Sequence, residues 1–328
     1  MKKFICKITL LAVAFVVTNV VLLFAIPKDK NAYLCEYNKK IHLLETTQEP
    51  RMIFIGGSSI AFGTDSKVVS DSLHYHVINF GLHGGIGIRY PMEDALQYIR
   101  KGDVVVLQFE YGNFFSGGNG NQETFPSLMV STDWRNADRL NVEQWTNVAT
   151  GLPRASVKGV LRLLKYPIYG SLNTPKTGPK HIQALSGFNE YGDEINHFNY
   201  PNKKYVPTGK KSQTKEKVDT EFVDWLDKVI KQYEKVGAKI ILLPPVCTKS
   251  HFQQVFNDNI ERALADIHRP YIVPPSSMTL NDSCMFDYGY HMNREGCNQN
   301  TQNIIRSLYY LKKCKHDWIT PGLFKRVL

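Results

Sequence analysis

A serine near the start of the chain and an aspartate and a histidine near its end are the residues whose types suggest chemistry. Ser59 follows the strand-like segment Met52–Ile55 after two glycines, and Asp287 and His291 lie just before a helix-like stretch. A serine hydroxyl becomes a nucleophile when a histidine accepts its proton and a carboxylate orients that histidine. These residues predict an ester hydrolase, on the condition that the fold brings the two segments together.

The turn around Ser59 matches neither of two well-known motifs that use glycine-rich turns. Its spacing, Gly57-x-Ser59-x-x-x-Gly63, differs from the G-x-S-x-G elbow of α/β hydrolases. No Gly-Lys-Ser/Thr follows, so the segment is not a phosphate-binding P-loop. A helix beginning here would aim backbone N–H groups at a developing oxyanion. Taken alone, a Gly-Gly-Ser-Ser tetrapeptide is typical of an ordinary turn.

A glycine-rich loop, residues 81–87, follows the second predicted strand. It contains His83, and Arg89 lies just beyond it. Its glycines would let the backbone approach a ligand closely. A dinucleotide-binding loop requires G-x-G-x-x-G, and here Tyr90 stands where the last glycine belongs, which argues against that class.

Glu110 and Asn113 follow the third predicted strand and offer a carboxylate and an amide at the same edge of a sheet. A single Glu or Asn in such a place is usually a turn cap. The histidines near these segments lack the spacing of metal ligands, so we expect no metal site.

The elements that must position these residues alternate between strands and helices. Five apolar, β-branched runs predict strands: Met52–Ile55, His76–Phe80, Val104–Phe109, Lys239–Leu243 and Tyr271–Val273. Four segments have helical periodicity: Ile88–Arg100, Lys217–Val236, Gln253–His268 and Glu295–Lys312. The alternation predicts a parallel sheet covered on both faces, with a ligand crevice at the carboxyl ends of its strands.

The stretch from about residue 116 to residue 214 does not follow this alternation. It contains a helical piece, about Val142 to Leu164, and an aromatic, turn-rich segment, Phe188–Phe198. We expect an insertion that leaves the sheet beside the third strand. Its aromatic residues would either form a small core of their own or line a groove for a sugar or an acyl acceptor.

The amino terminus has the composition of a membrane anchor. A basic start is followed by an uncharged, largely apolar run, Ile8–Ile26, which is just long enough to cross a hydrocarbon core. The run lacks an Ala-x-Ala pattern at its end, which favours an uncleaved anchor over a cleaved signal peptide. The lysines at the amino end favour that end inside, with the rest of the chain on the outer side of the membrane.

Charge and cysteine content give weaker information. The net charge of +10 would suit an anionic glycan or an anionic membrane surface, and no nucleic-acid-binding motif accompanies it. Six cysteines without a CxxC pair argue against a structural zinc site. If a disulfide forms, Cys247 and Cys284 are the pair we expect, because both follow predicted strands at one edge of the sheet.

The order and spacing of the segments resemble the SGNH (GDSL-type) hydrolases, a family with four short sequence blocks. The segment Gly57–Ile60 resembles the first block, Gly-Asp-Ser-Leu, and implies that Ser59 is the nucleophile, with Ser58 in place of the aspartate. The segment Asn79–Gly84 resembles the second block, whose closing glycine donates its N–H to the oxyanion. The resemblance gives that role to Gly84.

The segment Gly112-Asn113 resembles the third block of the family. In that block the side-chain amide of the asparagine is another donor to the oxyanion. Here the next residue is Phe114, where the family often has aspartate. The resemblance gives the oxyanion role to Asn113, and Glu110 is the alternative occupant of that place.

The final block is resembled by His291–Asn293, which implies that His291 is the base and Asp287 its partner. Three residues separate Asp287 from His291, where the family commonly has two. Asp282 is therefore the alternative partner.

The resemblance implies a flavodoxin-like, three-layer α/β/α fold with a parallel sheet, and a serine esterase or O-acyltransferase without a cofactor. Ser59, Gly84 and Asn113 would hold the oxyanion, and His83, Arg89 and Glu110 would contact the substrate. Membrane-anchored relatives act on acetyl esters of envelope polysaccharides, which implies an acylated glycan substrate. The rival interpretation is an SGNH scaffold without turnover that binds glycans or serves in envelope assembly.

Four regions follow from these patterns. We expect an N-terminal transmembrane anchor at residues 1–27, a linker at 28–50, a catalytic domain in two pieces at 51–115 and 215–328, and an insertion at 116–214.

Overall fold

The computed structural model describes residues 1–173, 182–202 and 217–313. Within them the backbone contacts define two compact units. The first contains Met1–Cys35 and Gly120–Ser186, and the second contains the rest of the chain. The expected boundary at residues 214 and 215 lies outside the described residues.

The described α-helices are, in chain order, α1 Lys2–Ala25, α2 Glu36–Thr46, α3 Ser58–Gly63, α4 Ser66–Leu73, α5 Arg89–Ala95, α6 Phe125–Ser131, α7 Val142–Tyr169, α8 Thr220–Val236, α9 Gln254–Asp266 and α10 Arg294–Lys313. The described strands are β1 Arg51–Gly56, β2 His76–Asn79, β3 Val104–Gln108, β4 Lys239–Leu242, β5 Cys247–Thr248 and β6 Thr279–Leu280.

The second unit is built on a four-stranded parallel sheet with the order β2–β1–β3–β4. Strand β1 is buried along its whole length, because it has a neighbour on each side and apolar packing on both faces. The carboxyl ends of β2, β1 and β3 lie side by side, so the loops that follow them meet at one edge. The prediction of a mixed α/β fold with a parallel sheet is confirmed.

The prediction of a strand at Tyr271–Val273 is wrong. This segment makes one backbone bond to the sheet, from Ile272 N–H to Leu242 O at 3.1 Å, and is not a strand. Prolines flank it on both sides, at Pro270 and at 274–275, and proline lacks the N–H that a ladder requires. The adjacent chain instead forms a separate two-stranded parallel sheet from β5 and β6.

The predicted helices are present in the described residues with small changes in their ends. Helix α8 begins at Thr220 because the Asp219 carboxylate accepts a hydrogen bond from Phe222 N–H at 3.1 Å. The segment predicted as one helix from Ile88 is shorter, since α5 ends at Ala95 and a turn of 3-10 helix follows.

Part of the segment expected as a linker, residues 28–50, is the helix α2 of the second unit. Tyr37, Ile41 and Leu44 recur on one face of α2 and are buried. Lys40 on the same helix donates hydrogen bonds to Asn79 O at 2.7 Å and to Gly192 O at 2.5 Å. The apolar spacing and the buried lysine make this segment part of the core.

The first unit contains α1, α6 and α7. Helix α1 has a mean hydropathy of 2.3 over Lys2–Leu22 and is long and apolar enough to cross a membrane. Helix α7 begins after Asn141, whose side chain forms a capping box with Gln144, and extends beyond the predicted end at Leu164. Helices α1 and α7 pack against each other.

The cysteines within the described residues are free, including Cys247 and Cys284, so the disulfide considered from the sequence is not formed there. Cys247 Sγ instead lies 3.7 Å from the hydroxyl of Tyr111.

Candidate active site

Ser59 lies in the first turn of α3, directly after β1, in the second unit. Its side chain is buried, with 2% of the residue exposed. Its Oγ has no hydrogen-bond partner among the residues that the structure describes. A buried hydroxyl without a partner is uncommon, and it leaves the hydrogen-bonding capacity of Oγ unused.

The carboxylate of Glu110 occupies the position next to Ser59. One of its oxygens, Oε1, accepts hydrogen bonds from Ser59 N–H at 3.1 Å and from Ser58 Oγ at 3.0 Å. A Cβ added at Gly57 would lie 2.6 Å from the same oxygen, and one added at Gly84 would lie 2.4 Å from Oε2. The carboxylate thus occupies the space that a side chain at either glycine would need, and the loops of Gly57 and Gly84 both lie against it.

The side-chain amide of Asn113 does not point to the place expected of an oxyanion donor beside Ser59. Its Nδ2 contacts the backbone oxygen of Glu110 at 3.3 Å, and its Oδ1 is buried without a partner among the described residues. The Asn113 amide thus supports the backbone that carries Glu110. Of the two alternatives weighed from the sequence, Glu110 is the one bonded to Ser59.

His291 and Asp287 form a hydrogen-bonded pair in the loop before α10, with 2.8 Å between Nδ1 and Oδ1. The three intervening residues fit because a turn closes the loop, through His291 N–H to Tyr288 O at 3.0 Å. The alternative partner, Asp282, accepts a hydrogen bond from Ser250 N–H at 3.3 Å instead. A carboxylate on Nδ1 leaves Nε2 as the nitrogen that can accept a proton.

The ring of His291 lies against the helix that carries Ser59. It stacks on Phe62, three residues after Ser59, with 4.2 Å between the ring centroids. The residue after His291, Met292, also lies against this helix, because a Cβ at Gly63 would lie 2.5 Å from its sulfur. No hydrogen bond joins Ser59 to His291 within the described residues, and catalytic hydrogen bonds often tighten only when substrate binds.

His83 lies close to His291 and is held neutral. Burial lowers the pKa of His83 to about 4, and the neighbouring His291 adds to the decrease. Its Nδ1 accepts a hydrogen bond from Gly85 N–H at 2.9 Å, so the proton of the neutral ring is on Nε2. His83 is therefore a hydrogen-bond donor.

Arg89 is turned toward α8. Its guanidinium lies 5.1 Å from the ring centroid of Trp225 and 3.6 Å from a carboxylate oxygen of Glu221. These described contacts separate Arg89 from the group formed by Ser59, Glu110 and His291.

A second pair of a histidine and a carboxylate, His197 and Glu194, contacts the loop of His291, and no sequence motif indicated its role. His197 Nδ1 lies 2.6 Å from Glu194 Oε2, and its Nε2 lies 2.8 Å from Met292 O, the residue after His291. Both side chains are fully buried. Phe62 lies between the two histidines, with 4.9 Å to the His197 ring. Only the i, i+3 spacing of Glu194 and His197 was visible in the sequence.

The aromatic segment around these residues belongs to the core of the second unit. Phe198 packs against the main apolar cluster, and the guanidinium of Arg294 lies 4.4 Å from its ring centroid. Of the two interpretations kept open, the packing of Phe198 favours a core role, although that core belongs to the second unit and not to a separate insertion.

The site is thus a buried serine hydroxyl, a histidine oriented by an aspartate, and a carboxylate within hydrogen-bond distance of the serine N–H. In the part of the chain that the structure describes, no group of three or more His, Cys, Asp or Glu residues is arranged to hold a metal ion. Comparison with known proteins found no matching family model, no matching curated protein and no matching solved structure.

Proposed function

We propose that the second unit is a serine esterase or O-acyltransferase of the SGNH type, with Ser59 as nucleophile and His291 as base. The observation that carries this proposal is the hydrogen bond between Asp287 and His291. The ring of this histidine stacks on Phe62, in the same helix as Ser59. An aspartate on Nδ1 fixes the tautomer that a general base requires.

In this mechanism Ser59 Oγ forms a bond to the acyl carbon of an ester while its proton passes to Nε2 of His291. The negative charge then develops on the former carbonyl oxygen, and the N–H groups of Ser59 and Gly84 stabilise it. The bond to the leaving alcohol breaks as His291 returns the proton to the alcohol oxygen. Water or a sugar hydroxyl attacks the acyl-enzyme by the same steps in reverse.

Glu110 must leave its resting position during this reaction. Its carboxylate accepts the Ser59 N–H bond that the oxyanion would need, and two negative charges at one place repel each other strongly. The substrate acyl group therefore displaces Glu110 when it binds. His83, a neutral donor beside Gly84, supplies a hydrogen bond to the acyl group or to the sugar.

The substrate class follows from the resemblance and the anchor together. An extracytoplasmic domain held at the membrane by α1 would meet acylated glycans of the cell envelope. We propose acetyl ester chemistry on such a polysaccharide, with either water or a second sugar as the acceptor.

The test is labelling of the full chain in detergent with a fluorophosphonate, followed by peptide mass spectrometry. We expect an adduct on Ser59 that is lost in His291→Ala and retained in Ser72→Ala, a change of an exposed serine on α4. A folded chain that gives no adduct on Ser59 would rule out the catalytic proposal.

The second candidate function is a glycan-binding or assembly protein without turnover. Two observations favour it: Ser59 makes no hydrogen bond with His291 in the described residues, and Glu110 takes up the oxyanion donor. In that case glycan binding would persist in Ser59→Ala, and labelling would be absent from the unaltered chain.

A further inference from the structure

A second apolar surface, besides α1, covers the C-terminal half of α7 in the first unit. Exposed apolar side chains recur there three or four residues apart, at Val157, Leu161, Leu164 and Ile168. This spacing places them in one stripe along the helix. Leu164 and Ile168 expose 67% and 76% of their surface. We call these four residues the α7 stripe.

Basic residues run beside the α7 stripe. Lys158, Arg162 and Lys165 each directly follow one of the first three members of the stripe and therefore form a parallel row on the same half of the helix. An apolar face bordered by lysine and arginine is the pattern of helices that lie in the interface of an anionic membrane.

The N-terminal half of α7 is different. The positions that continue the stripe backwards at the same spacing are Arg154, Thr150, Thr146 and Glu143, which are exposed and polar. The change from polar to apolar occurs within one helix, so it marks a change of surroundings along its length.

The α7 stripe begins where α7 passes the outer end of α1. Gly159 packs against Ile26, with 3.1 Å from a Cβ built at Gly159 to the nearest atom of Ile26. Arg162 donates a hydrogen bond to Pro27 O. Ile26 and Pro27 follow directly on α1, at the point where its apolar run ends, and this end lies at the membrane–water boundary if α1 crosses the bilayer.

Two tryptophans lie at the same level. Trp134 stacks on Phe24 near the end of α1, with 5.8 Å between ring centroids. Trp145 lines the same open apolar groove, of about 300 Å³, together with Val20 and Phe24. Tryptophan is enriched at the headgroup level of membranes, which agrees with the position of α7.

We propose that Val157–Ile168 lies in the interface of the bilayer that α1 crosses, with the α7 stripe among the acyl chains and the basic row at anionic phosphate headgroups. The occupant of this surface is an anionic phospholipid bilayer. Continuity with α1 and the charge of the basic row favour it over a second protein chain.

The test uses the full chain in vesicles of phosphatidylglycerol and phosphatidylethanolamine, with the photoreactive residue p-benzoylphenylalanine replacing Leu164. After irradiation, mass spectrometry measures lipid adducts. The matched control has the same residue at Thr150, on the polar half of α7, and a third sample has it at Val16 within α1. We expect at least tenfold more lipid adduct at position 164 than at 150, and a yield close to that at 16.

Two outcomes would overturn the proposal. Adduct at position 164 no higher than at 150, with strong adduct at 16, would show that α7 lies off the membrane. A cross-link between two chains at 164 would assign the stripe to self-association. For the basic row, Lys158→Gln with Lys165→Gln should reduce the adduct at 164 severalfold in these vesicles but not in phosphatidylcholine, and an equal effect in both would refute the headgroup contact.

Discussion

At the scale of single residues, Glu110 governs what the site can do. Its carboxylate accepts the Ser59 N–H and fills the space that Gly57 and Gly84 leave open. A charged acceptor in this position competes with any other negative group that needs the same donor. The consequence is that access to Ser59 depends on moving one side chain.

We expect Glu110→Gln to speed fluorophosphonate labelling of Ser59. The amide keeps the shape but loses the charge, and a hydrogen bond to a neutral acceptor is weaker by about 1 kcal/mol, which corresponds to roughly fivefold in rate. The comparison is with Glu221→Gln, which removes the same charge from an exposed position on α8. Slower labelling in Glu110→Gln would mean that Glu110 assists the reaction and does not obstruct it.

Asp287→Asn should slow turnover of an acetyl ester by about a thousandfold or more, because an amide at Nδ1 stabilises the wrong tautomer of His291. Asp282→Asn is the matched control, since Asp282 binds Ser250 N–H and should change the rate less than threefold. Steady-state kinetics of the two variants measure the difference. Equal losses would show that the Asp287–His291 bond has no catalytic role.

His83 should make the stability of the second unit depend on pH. Its folded pKa is lowered to about 4 from an ordinary value of 6.5, so the unfolded chain takes up the proton first as the pH falls. Stability is full above pH 6.5 and decreases between 6.5 and 4, by up to about 3 kcal/mol.

The measurement is urea unfolding of the full chain in detergent, followed by hydrogen exchange of peptides from β2 and β3. Between pH 7.5 and 4.5, His83→Gln should lose less stability than the unaltered chain. The same loss in both proteins would contradict the argument from His83.

At the scale of elements, the Glu194–His197 pair supports the loop of His291 through a contact with the backbone of Met292. His197 faces an acceptor on each ring nitrogen, a carboxylate and the Met292 carbonyl. Nε2–H donates to the carbonyl, and a single proton between Nδ1 and the Glu194 carboxyl group, whose pKa burial raises, satisfies the other bond. Removing the imidazole leaves a buried carboxyl group without its partner, which costs stability.

His197→Phe should therefore destabilise the second unit by about 2–3 kcal/mol, while the ring keeps its contacts with Phe62 and Phe286. Adding Glu194→Leu removes the unpaired carboxyl group and should restore part of this loss. Denaturant unfolding of the single and double variants gives both values. A double variant as unstable as the single one would mean that the unpaired Glu194 side chain does not cause the loss.

The strands and helices show how far the sequence was a guide. The four strands of the main sheet were predictable because each is a continuous apolar run, and α8 because Phe222, Leu226 and Ile230 repeat at helical spacing. The prediction of a strand at Tyr271–Val273 failed because it relied on the apolar, β-branched composition of the segment. The flanking prolines, which disfavour a sheet strand, were given too little weight.

The site was predictable only in part for a different reason. Ser59, Asp287 and His291 follow from residue type and order, since each lies near the end of an element. The contact of His197 with Met292 joins residues 95 positions apart. The position of the Glu110 carboxylate depends on two glycines from separate loops, Gly57 and Gly84. Such tertiary contacts leave no periodic pattern in one sequence.

At the scale of the whole molecule, the apolar helix α1 and the candidate site belong to different units. The chain passes from one unit to the other after Cys35, after Asn119 and after Ser186. Helix α1 is an integral part of the first unit, because Ser156 donates a hydrogen bond to Asn19 O at 3.1 Å and Phe24 stacks on Trp134.

A chain that begins at residue 28 should consequently associate into larger assemblies without detergent. Loss of α1 uncovers the groove beside Trp134 and Trp145 in addition to the α7 stripe, and exposed apolar patches of this kind drive association. Size-exclusion chromatography with light scattering would measure this, with detergent-solubilised full chain as the comparison. A monodisperse, monomeric product would show that the first unit tolerates the loss of α1.

Glu110 has a further chemical meaning. The side chain ends in the same group as acetate, the acid that hydrolysis of an acetyl ester would release. The resting protein therefore holds a tethered analogue of its own proposed product, at an effective concentration that dissolved acetate would not reach. Free acetate would then inhibit the resting protein only weakly, because the Glu110 carboxylate already occupies its place. The ester substrate must displace this carboxylate before it can reach Ser59.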